Sequence, residues 1–534
     1  MCYNKETKIY EKEKCMKKYL CLILALVMVT TAFVACGGDN NDVKDNSSSA
    51  APSTDDTSVV SKDEGEKTVY HEMLPDATDM GGREFNILQR WFGYGKESID
   101  FQGEVIWDES DESGTMSNIN LAKRQVLDAV QKDYNCTIIG EMSTDTAGNI
   151  RTFIQEDILS GAPTIDFCFE TYYYYHSFIG NGYLADLQTL GIDFSKPWWD
   201  QNGVKDLSVC NKLYYALGDI NTYDNDGTVV MLFNKDLYEQ KFGDGSYQEI
   251  YDLAANGEWT FDVLEEKVKG FGAENTGDNV RDEFDVYGLS TELANLYMHV
   301  VAAGEKAVGK DVNDDITFTL ESERVFDSVT DAVDLYMNTN DVLVTDLPQY
   351  LEKYGGTGDR FYEPVCNAFK EGRSLFFMCA LIHLPYFRDM EQDFGILPVP
   401  KYDNTQDRYY HTMGVHTASV VFVPATTLSV GEKGKQIGTI LDALGAYSKD
   451  YLTPEYYDKQ LKRGDASDPD SAEMLDIIFE SRTFDLGAVF GQALGDPTNL
   501  CTKLDKNIQS RVQSNKDVIE ISIEEVMEKL KNPA

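Results

Sequence analysis

Predicted strands and predicted helices alternate early in this chain, and this alternation restricts the fold more than any other feature. Strands are predicted at 84–89, 136–140 and 165–170, and amphipathic helices at 118–134 and 149–160. Helices that connect successive strands in this way place the strands parallel in one sheet. Parallel sheets bind ligands outside the carboxyl ends of their strands. We therefore predict an α/β fold with a ligand site near the residues that follow these strands.

The rest of the chain adds a helical middle with further strands on both sides of it. Strands are predicted at 213–217 and 228–234, and mostly helical periodicity follows over 235–369. More strands are predicted at 374–380, 394–399 and 418–423, and helices at 433–447, 454–462 and 471–479. This order predicts two lobes between which the chain passes more than once.

The N-terminal residues have the pattern of an export signal followed by a tether. Lys17 and Lys18 precede an apolar run that ends at Cys36, and a polar stretch follows directly. The run is at the lower limit for crossing a bilayer and lacks a basic flank, so we predict a cleaved signal peptide at 1–35. The sequence Phe-Val-Ala-Cys resembles the lipobox of bacterial lipoproteins, although Phe33 stands where leucine is usual. That resemblance implies lipidation of Cys36; a signal cleaved elsewhere is the alternative.

Residues 36–70 are rich in Ser, Asp, Asn and Gly, and they predict a flexible tether.

The whole chain carries 91 Asp and Glu against 47 Lys and Arg, a formal net charge of −44. Such a polyanion is repelled by nucleic acid and by anionic lipid headgroups, so neither is predicted as a partner.

Outside the signal and Cys36 no cysteines form a Cys-x-x-Cys pair, and we predict buried thiols in preference to disulfides. These cysteines are Cys136, Cys168, Cys210, Cys366, Cys379 and Cys501.

A series of short motifs lies within about residues 80–480. They are IDF (165–167), GYLADLQTL (182–190), LYYALGD (213–219), VVMLFNKDLYEQ (229–240), GEWTFDVLEEKVKGF (257–271), VYGLS (286–290), FKEGRSLFFM (369–378) and DFGILPVPKYD (393–403). Together they resemble the family 1 type of extracellular solute-binding proteins of carbohydrate ABC importers. The resemblance implies a two-lobe periplasmic-binding-protein-like fold. Each lobe would be a mainly parallel sheet flanked by helices, and a multi-crossing hinge would join the two.

We assign provisional lobe boundaries on this basis. The first lobe would take 71–218 and return at 374–425, and the second lobe would take 219–373. Residues 426–534 would supply the second lobe and C-terminal helices on the hinge side. The resemblance further implies that the lobes close on a sugar or oligosaccharide and present it to the permease of an ABC transporter.

Sugar sites combine aromatic rings, which stack on C–H faces, with polar side chains that fix hydroxyl groups. Residues of both kinds occur near the predicted strand ends and crossings. The candidate ligand contacts are Trp91, Tyr172, Tyr173, Trp198, Trp199, Asp219, Tyr223, Trp259, His383, Tyr386 and His411. Packing in the core or at the hinge is the alternative for each of them.

One acidic loop, 274–285, resembles an EF-hand calcium loop. Its oxygen-bearing side chains at the relevant positions are Glu274, Thr276, Asp278, Asp282 and Asp285. The loop has Asn279 in place of the usual glycine, and Asp285 is shorter than the usual glutamate. An acidic surface loop is the favoured interpretation, so no metal and no cofactor is predicted.

The predicted function is therefore binding without catalysis, by a monomer anchored through lipid to the outer face of the plasma membrane. Two alternatives stay open. A secreted glycoside hydrolase would also carry carboxylates beside aromatic platforms, and a lipoprotein that binds a peptide or partner protein would present a similar surface. The sequence contains no Gly-x-Ser-x-Gly elbow, no His-Glu-x-x-His zinc helix and no Gly-x-x-x-x-Gly-Lys phosphate loop.

Overall fold

The computed structural model describes most of the chain beyond the predicted tether. The described residues are 68–90, 104–106, 118–143, 147–173, 175–345, 347–354, 363–414, 418–425, 431–465 and 468–532. The predicted signal peptide, Cys36 and nearly all of the predicted tether lie outside them. Among the helices in the described ranges, none has the combination of length and apolar character that a membrane span requires.

Strands and helices follow one another along the described chain. The strands are β1 Arg83–Arg90, β2 Cys136–Ser143, β3 Phe167–Glu170, β4 Val229–Asn234, β5 Tyr287–Thr291, β6 Val308–Lys310, β7 Ile316–Phe318, β8 Val342–Val344, β9 Ser374–Ala380, β10 Phe394–Leu397 and β11 Val420–Phe422. The α-helices are α1 Asn118–Tyr134, α2 Ala147–Leu159, α3 His176–Gly180, α4 Gln201–Leu207, α5 Tyr223–Asp226, α6 Lys235–Phe242, α7 Tyr247–Ala255, α8 Phe261–Val268, α9 Leu296–Ala302, α10 Glu323–Tyr336, α11 Pro348–Tyr354, α12 Glu363–Lys370, α13 Gly431–Thr453, α14 Pro469–Glu480, α15 Leu486–Val489 and α16 Ile508–Lys531. A π-helical segment spans Pro454–Asp465, and short 3₁₀ turns occur at Tyr70–Met73, Leu187–Leu190, Leu293–Asn295, Leu381–Phe387, Gly491–Ala493 and Pro497–Leu500.

The first lobe is built on a four-stranded sheet in the order β11-β3-β1-β2. Strand β1 is parallel to both β2 and β3, whereas β11 is antiparallel to β3. All four residues of β3 are buried, which explains its uninterrupted Phe-Cys-Phe start because a central strand packs on both faces. The predicted βαβ arrangement is therefore confirmed.

The second lobe is built on a five-stranded sheet in the order β10-β4-β9-β5-β8. Strand β4 is antiparallel to β9 and β10, and β5 is parallel to β8 and β9. Parallel and antiparallel pairings are equal in this sheet, so it is less parallel than predicted. Every residue of β4 is buried, and an apolar core packs around it from α7, α8 and α10.

The strand pairings move the boundaries that were predicted for the lobes. Strands β9 and β10 pair with β4 and β5, so within 374–425 only β11 returns to the first sheet. Helix α13 packs mainly against α1, and it therefore extends the first lobe into the C-terminal region. An apolar strand has the same pattern in either sheet, so the sequence alone does not assign it to one.

Some predicted elements differ from those observed. Residues 213–217 form only an isolated antiparallel bridge, from Ala216 to Val421, instead of a strand. The predicted helical middle contains β5, the hairpin β6-β7 and β8, whose few residues give too short a pattern to stand out among helices. The cysteines at positions 136, 168, 210, 366, 379 and 501 are free thiols, and all except Cys210 are buried, as predicted.

Within the described residues, three segments connect elements of the two lobes, at 219–228, 398–414 and 454–465, and we call them together the hinge. The first two segments run beside each other. The backbone N–H of Gly414, in the second, donates to the carbonyl of Gly227, in the first, at 2.8 Å. Chain crossings that lie side by side let two lobes rotate about one line without breaking the sheets.

Carboxylates of the first crossing bind the third crossing and the end of α13 before it. Asp219 accepts hydrogen bonds from Lys449 Nζ at 2.9 Å and from Thr453 Oγ1 at 2.6 Å. Asp226 accepts a hydrogen bond from the hydroxyl of Tyr456 at 2.5 Å. The polar residues that the sequence places in the first crossing thus hold the hinge segments together.

A buried cation joins the first crossing to the chain that follows α14. Arg482 donates to Asp200 at 2.5 Å, to Asp224 at 3.1 Å and to Asn225 at 2.9 Å. Burial raises the pKa of the Asp224 carboxyl; Arg482 opposes this shift, and the neighbouring charges of Glu104 and Asp200 add to it. Arg482 therefore offsets part of the cost of burying the Asp224 carboxyl.

Candidate functional site

A cavity of about 240 Å³ lies where strands of both sheets end. Tyr173 approaches it from the loop after β3 in the first lobe, and Glu292 follows β5 in the second. Cys379 and Ala380, the last residues of β9, form part of the floor. The sequence predicts a ligand site beyond the carboxyl ends of the strands, and this cavity is the candidate for it.

Tyr173 is the aromatic side chain that the first lobe contributes to the cavity. Its hydroxyl donates to Asp496 Oδ1 at 3.3 Å. Asp496 has a left-handed backbone, with φ of 51°, which Asp and Asn adopt more readily than most residues. Gly491 leaves room for this pair, since a Cβ there would lie 2.9 Å from Asp496 Oδ1 and 3.5 Å from the tyrosine ring. The local backbone is thus shaped to present the Tyr173–Asp496 pair.

His383 enters the cavity from the 3₁₀ turn after β9. Its Nδ1 lies 3.1 Å from the carbonyl of Ala380, so Nδ1 carries the proton in this hydrogen bond. Burial lowers the pKa of the imidazole, and the ring is therefore neutral at neutral pH. A neutral imidazole at the cavity adds a polar wall without a positive charge.

Asn295 has a fixed orientation in the second lobe. Its Nδ2 donates to Thr291 Oγ1 at 3.2 Å and to the carbonyl of Met378 at 3.0 Å. These two bonds use the amide's donors and leave its oxygen as an acceptor at the cavity wall. An amide held in this way suits the recognition of a hydroxyl group.

Asp485 also borders the cavity, but its carboxylate serves the fold. It accepts hydrogen bonds from the hydroxyl of Tyr297 and from the backbone of Ala307, Val308 and Gly487, the last at 2.7 Å. Burial raises the pKa of this carboxyl, and the hydrogen bonds counteract the shift. Asp485 therefore shapes the wall and has little hydrogen-bonding capacity left for a ligand.

No family model matches the sequence, and no curated protein matches it. Solved structures do resemble it. An ABC substrate-binding protein from Listeria monocytogenes in complex with cycloalternan has 13% sequence identity and a TM-score of 0.50, over 83% of this chain and 99% of that one. The extracellular solute-binding protein from Staphylococcus aureus in complex with maltose has 13% identity and a TM-score of 0.51, and the match covers 83% of this chain and 98% of that one. UgpB from Mycobacterium tuberculosis in complex with glycerophosphocholine has 14% identity and a TM-score of 0.50, and the match covers 76% of this chain and 96% of that one.

The chain has the two-lobe fold of ABC substrate-binding proteins. At these identities the likeness establishes the fold, and it agrees with the motif order in the sequence. The neighbours are matched over nearly their whole length, so the likeness involves both lobes and not one sheet alone.

Within the described residues, two of the predicted ligand contacts of this substrate-binding-protein fold line the cavity, namely Tyr173 and His383. The neighbouring tryptophans Trp198 and Trp199 lie in the core instead. Asp442 Oδ1 accepts hydrogen bonds from their Nε1 atoms at 3.1 Å and 2.8 Å. A Cβ at Gly445 would lie 2.6 Å from Trp198 Cδ1, so α13 has a glycine where this indole packs. The pair therefore anchors α13.

Two further predicted contacts are buried at structural positions. Trp259 is fully buried, and its Nε1 donates to the carbonyl of Pro398 at 2.8 Å. His411 accepts a hydrogen bond at Nε2 from the backbone of Val399 at 2.9 Å, and its Nδ1 lies 2.7 Å from Ser481 Oγ. Both side chains bind the second crossing to its surroundings and have no contact with the cavity.

The remaining predicted ligand contacts within the described residues lie in the core, in the hinge or at the surface. Tyr172 and Tyr223 are buried in the core, each about 1% exposed. Asp219 belongs to the hinge, as described above. Tyr386 is 38% exposed and lies outside the set of residues that line the cavity. Trp91 is outside the described residues.

The acidic loop at 274–285 directs its carboxylates to its own backbone. Glu274 accepts backbone hydrogen bonds from Thr276 and Asp278, and Asp285 accepts one from Asp282. In the described part of the chain no group of three or more His, Cys, Asp or Glu side chains could hold a metal ion. The loop geometry agrees with a turn stabilised by side-chain caps.

Several polar cavity residues were not predicted from the sequence. Glu292 and Asn295 follow β5, and identifying that strand would have indicated them by the same strand-end rule that indicated Tyr173. Asp496 and Asn499 lie in a region of short turns near the C-terminus, where no periodic pattern marks a site. Only the folded chain brings these two turns to the loop after β3.

Proposed function

We propose that this protein is a non-catalytic, extracellular solute-binding protein that holds a sugar or oligosaccharide between its two lobes and delivers it to the permease of an ABC transporter. The observation that carries the proposal is a cavity at the strand ends of both sheets, walled by Tyr173, Asn295 and further polar side chains. An aromatic ring beside fixed hydrogen-bonding groups is what a sugar requires. The cycloalternan and maltose in the complexes of two structural neighbours support the same ligand class.

The cellular role in this proposal rests on the N-terminal sequence. A lipidated Cys36 and the tether behind it would hold a monomeric receptor at the outer face of the plasma membrane, near its permease. The strong net negative charge adds to this argument, because only a covalent anchor would keep such a polyanion beside an anionic surface.

The ligand class can be tested by calorimetry of the purified protein against mono-, di- and oligosaccharides, with analysis of the sugars recovered from the same samples. We expect saturable binding and recovery of the intact sugar. Release of shorter sugars would contradict the proposal and support the glycoside hydrolase alternative. Absence of binding across the whole panel would exclude the sugar-binding role.

The position of the site can be tested with two tyrosine substitutions. We expect Tyr173→Ala to weaken sugar binding at least about tenfold, because about 1.4 kcal/mol is a modest loss for a stacking and hydrogen-bonding side chain. Tyr386→Ala is the matched control, since Tyr386 is outside the cavity, and it should leave affinity unchanged within about twofold. Equal effects of the two substitutions would place the site elsewhere.

A further inference from the structure

Asn295 stands at the start of a helix, where an asparagine ordinarily caps the helix with its own side chain. A capping side chain turns its oxygen toward the backbone N–H groups of the first helical turn. Asn295 directly precedes α9 and makes no such hydrogen bond. Its oxygen Oδ1 is therefore not used by the helix, although the residue lines the cavity. This departure from ordinary capping points to another use for the oxygen.

The carbonyl of Met378 decides which end of the Asn295 amide faces the cavity. A carbonyl oxygen only accepts hydrogen bonds, so the amide atom 3.0 Å away must be the donor Nδ2. Turning the amide by half a rotation would bring two oxygens together at this distance. The amide therefore directs its N–H groups to the fold and leaves Oδ1, an acceptor, for the cavity.

Thr291 holds the same amide from behind the cavity wall. It is fully buried, it lies outside the described residues that line the cavity, and its Oγ1 accepts a hydrogen bond from Nδ2 of Asn295 at 3.2 Å. This Oγ1 lies 3.1 Å from the hydroxyl of Tyr336, which in turn lies 3.3 Å from Nε2 of His299. Burial lowers the pKa of His299 to about 4, so the ring is neutral at neutral pH. Thr291 is thus held in place by neutral polar groups behind it.

We propose that Oδ1 of Asn295 accepts a hydrogen bond from one hydroxyl group of the sugar, and that Thr291 is a positioning residue for this contact. The inference rests on the proposed function and assigns one of its ligand contacts. A sugar hydroxyl can donate or accept a hydrogen bond, whereas a fixed acceptor requires it to donate. The site therefore discriminates against a sugar with hydrogen or fluorine in place of that hydroxyl, since neither can donate.

The ligand side of this contact is tested by calorimetry at pH 7.5. Glucose, maltose and maltotriose are measured first, and the tightest binder is then compared with its monodeoxy and monodeoxyfluoro derivatives. At one ring position we expect both derivatives to bind at least about fivefold more weakly than the parent sugar. Fluorinated derivatives that bind like the parent at every position would overturn this inference and leave sugar binding intact. If the wild-type protein binds none of the three sugars, the inference and the proposed function both fail.

Substitutions assign the lost hydrogen bond to Asn295. We expect Asn295→Ala to weaken binding of the parent sugar at least about fivefold. At the ring position identified above, the deoxy derivative should then bind this variant as well as the parent does, within about twofold, because the partner of the hydroxyl is gone. A ratio of parent to deoxy affinity that equals the wild-type ratio at every position would overturn the contact.

The positioning role is tested by removing the hydroxyl behind the cavity wall. Thr291→Val keeps the shape of the side chain, and we expect it to reduce the same parent-to-deoxy ratio at least about threefold, whereas Thr291→Ser should restore the ratio. Thr345→Val is the matched control, because Thr345 is also buried and its hydroxyl has no hydrogen-bond partner among the described residues. A ratio unchanged in Thr291→Val would overturn the positioning role, even if the variant is less stable.

Discussion

Replacing Arg482 by methionine is expected to lower the free energy of unfolding by about 3–5 kcal/mol. The side chain is only 7% exposed and is shared by Asp200 and Asp224. Methionine fills much of the same space but leaves the two aspartates without the hydrogen-bond donors and the positive charge that the arginine supplies. Equilibrium unfolding in urea, followed by circular dichroism, measures the loss.

Two further variants separate the buried charge from other effects of the substitution. Arg124→Met removes an arginine that is half exposed and pairs with Asp128 at 3.9 Å, and it should change stability by less than about 1 kcal/mol. Combining Arg482→Met with Asp200→Asn and Asp224→Asn should recover part of the stability, because the uncompensated charges are then gone. If the triple variant is no more stable than Arg482→Met, burial of unpaired charge is not the cause.

Lowering the pH from 7.5 to 5 is expected to narrow the stability difference between the wild-type protein and His411→Gln by about 2 kcal/mol. Burial lowers the pKa of His411 to about 3, well below its value of about 6.5 in an unfolded chain. Between these values the unfolded chain binds a proton that the folded protein excludes. The contribution of the neutral imidazole to the free energy of unfolding is therefore complete above about pH 6.5 and is lost as the pH falls. Glutamine does not titrate, so its contribution does not change with pH.

The hydrogen bonds explain why the folded protein excludes this proton. Val399 donates its backbone N–H to Nε2, so a proton on Nε2 would remove an acceptor and leave two donors facing each other. Urea unfolding at a series of pH values measures the difference directly. Ser481→Ala is the control, because it removes a partner of His411 and keeps the titrating ring, so its stability difference from wild type should stay constant with pH. A constant difference for His411→Gln would contradict the mechanism.

The fold was largely predictable from the sequence because its strongest signals are local. The helix predicted at 118–134 and the strand predicted at 374–380 have the observed bounds, and both show sustained periodicity or a long apolar run. Short strands such as Val342–Val344 gave no comparable signal. The membership of β9 in the second sheet depends on pairing between distant segments, which a local pattern does not contain.

The candidate site was less predictable, because the same residue types serve ligands and cores. Trp198 and Trp199 follow a proline in an apparent loop, yet both indoles donate to one buried carboxylate of α13. The strand-end rule indicated both Tyr172 and Tyr173; Tyr173 lines the candidate cavity, whereas Tyr172 is buried in the core. Successive residues of an extended segment face opposite directions, and sequence does not tell which of two tyrosines faces the ligand.

The pairing of β11 with β3 has a consequence for how the protein is made. Phe169 pairs with Val421, and the whole second sheet is encoded between them. The first sheet cannot be completed until β11, which ends at residue 422 of 534, has been synthesised, so closing it requires a very long loop. We expect a slow final folding step and a dependence on folding factors where the chain emerges. A truncation anywhere before β11 would leave β3 with an open edge, available for aggregation.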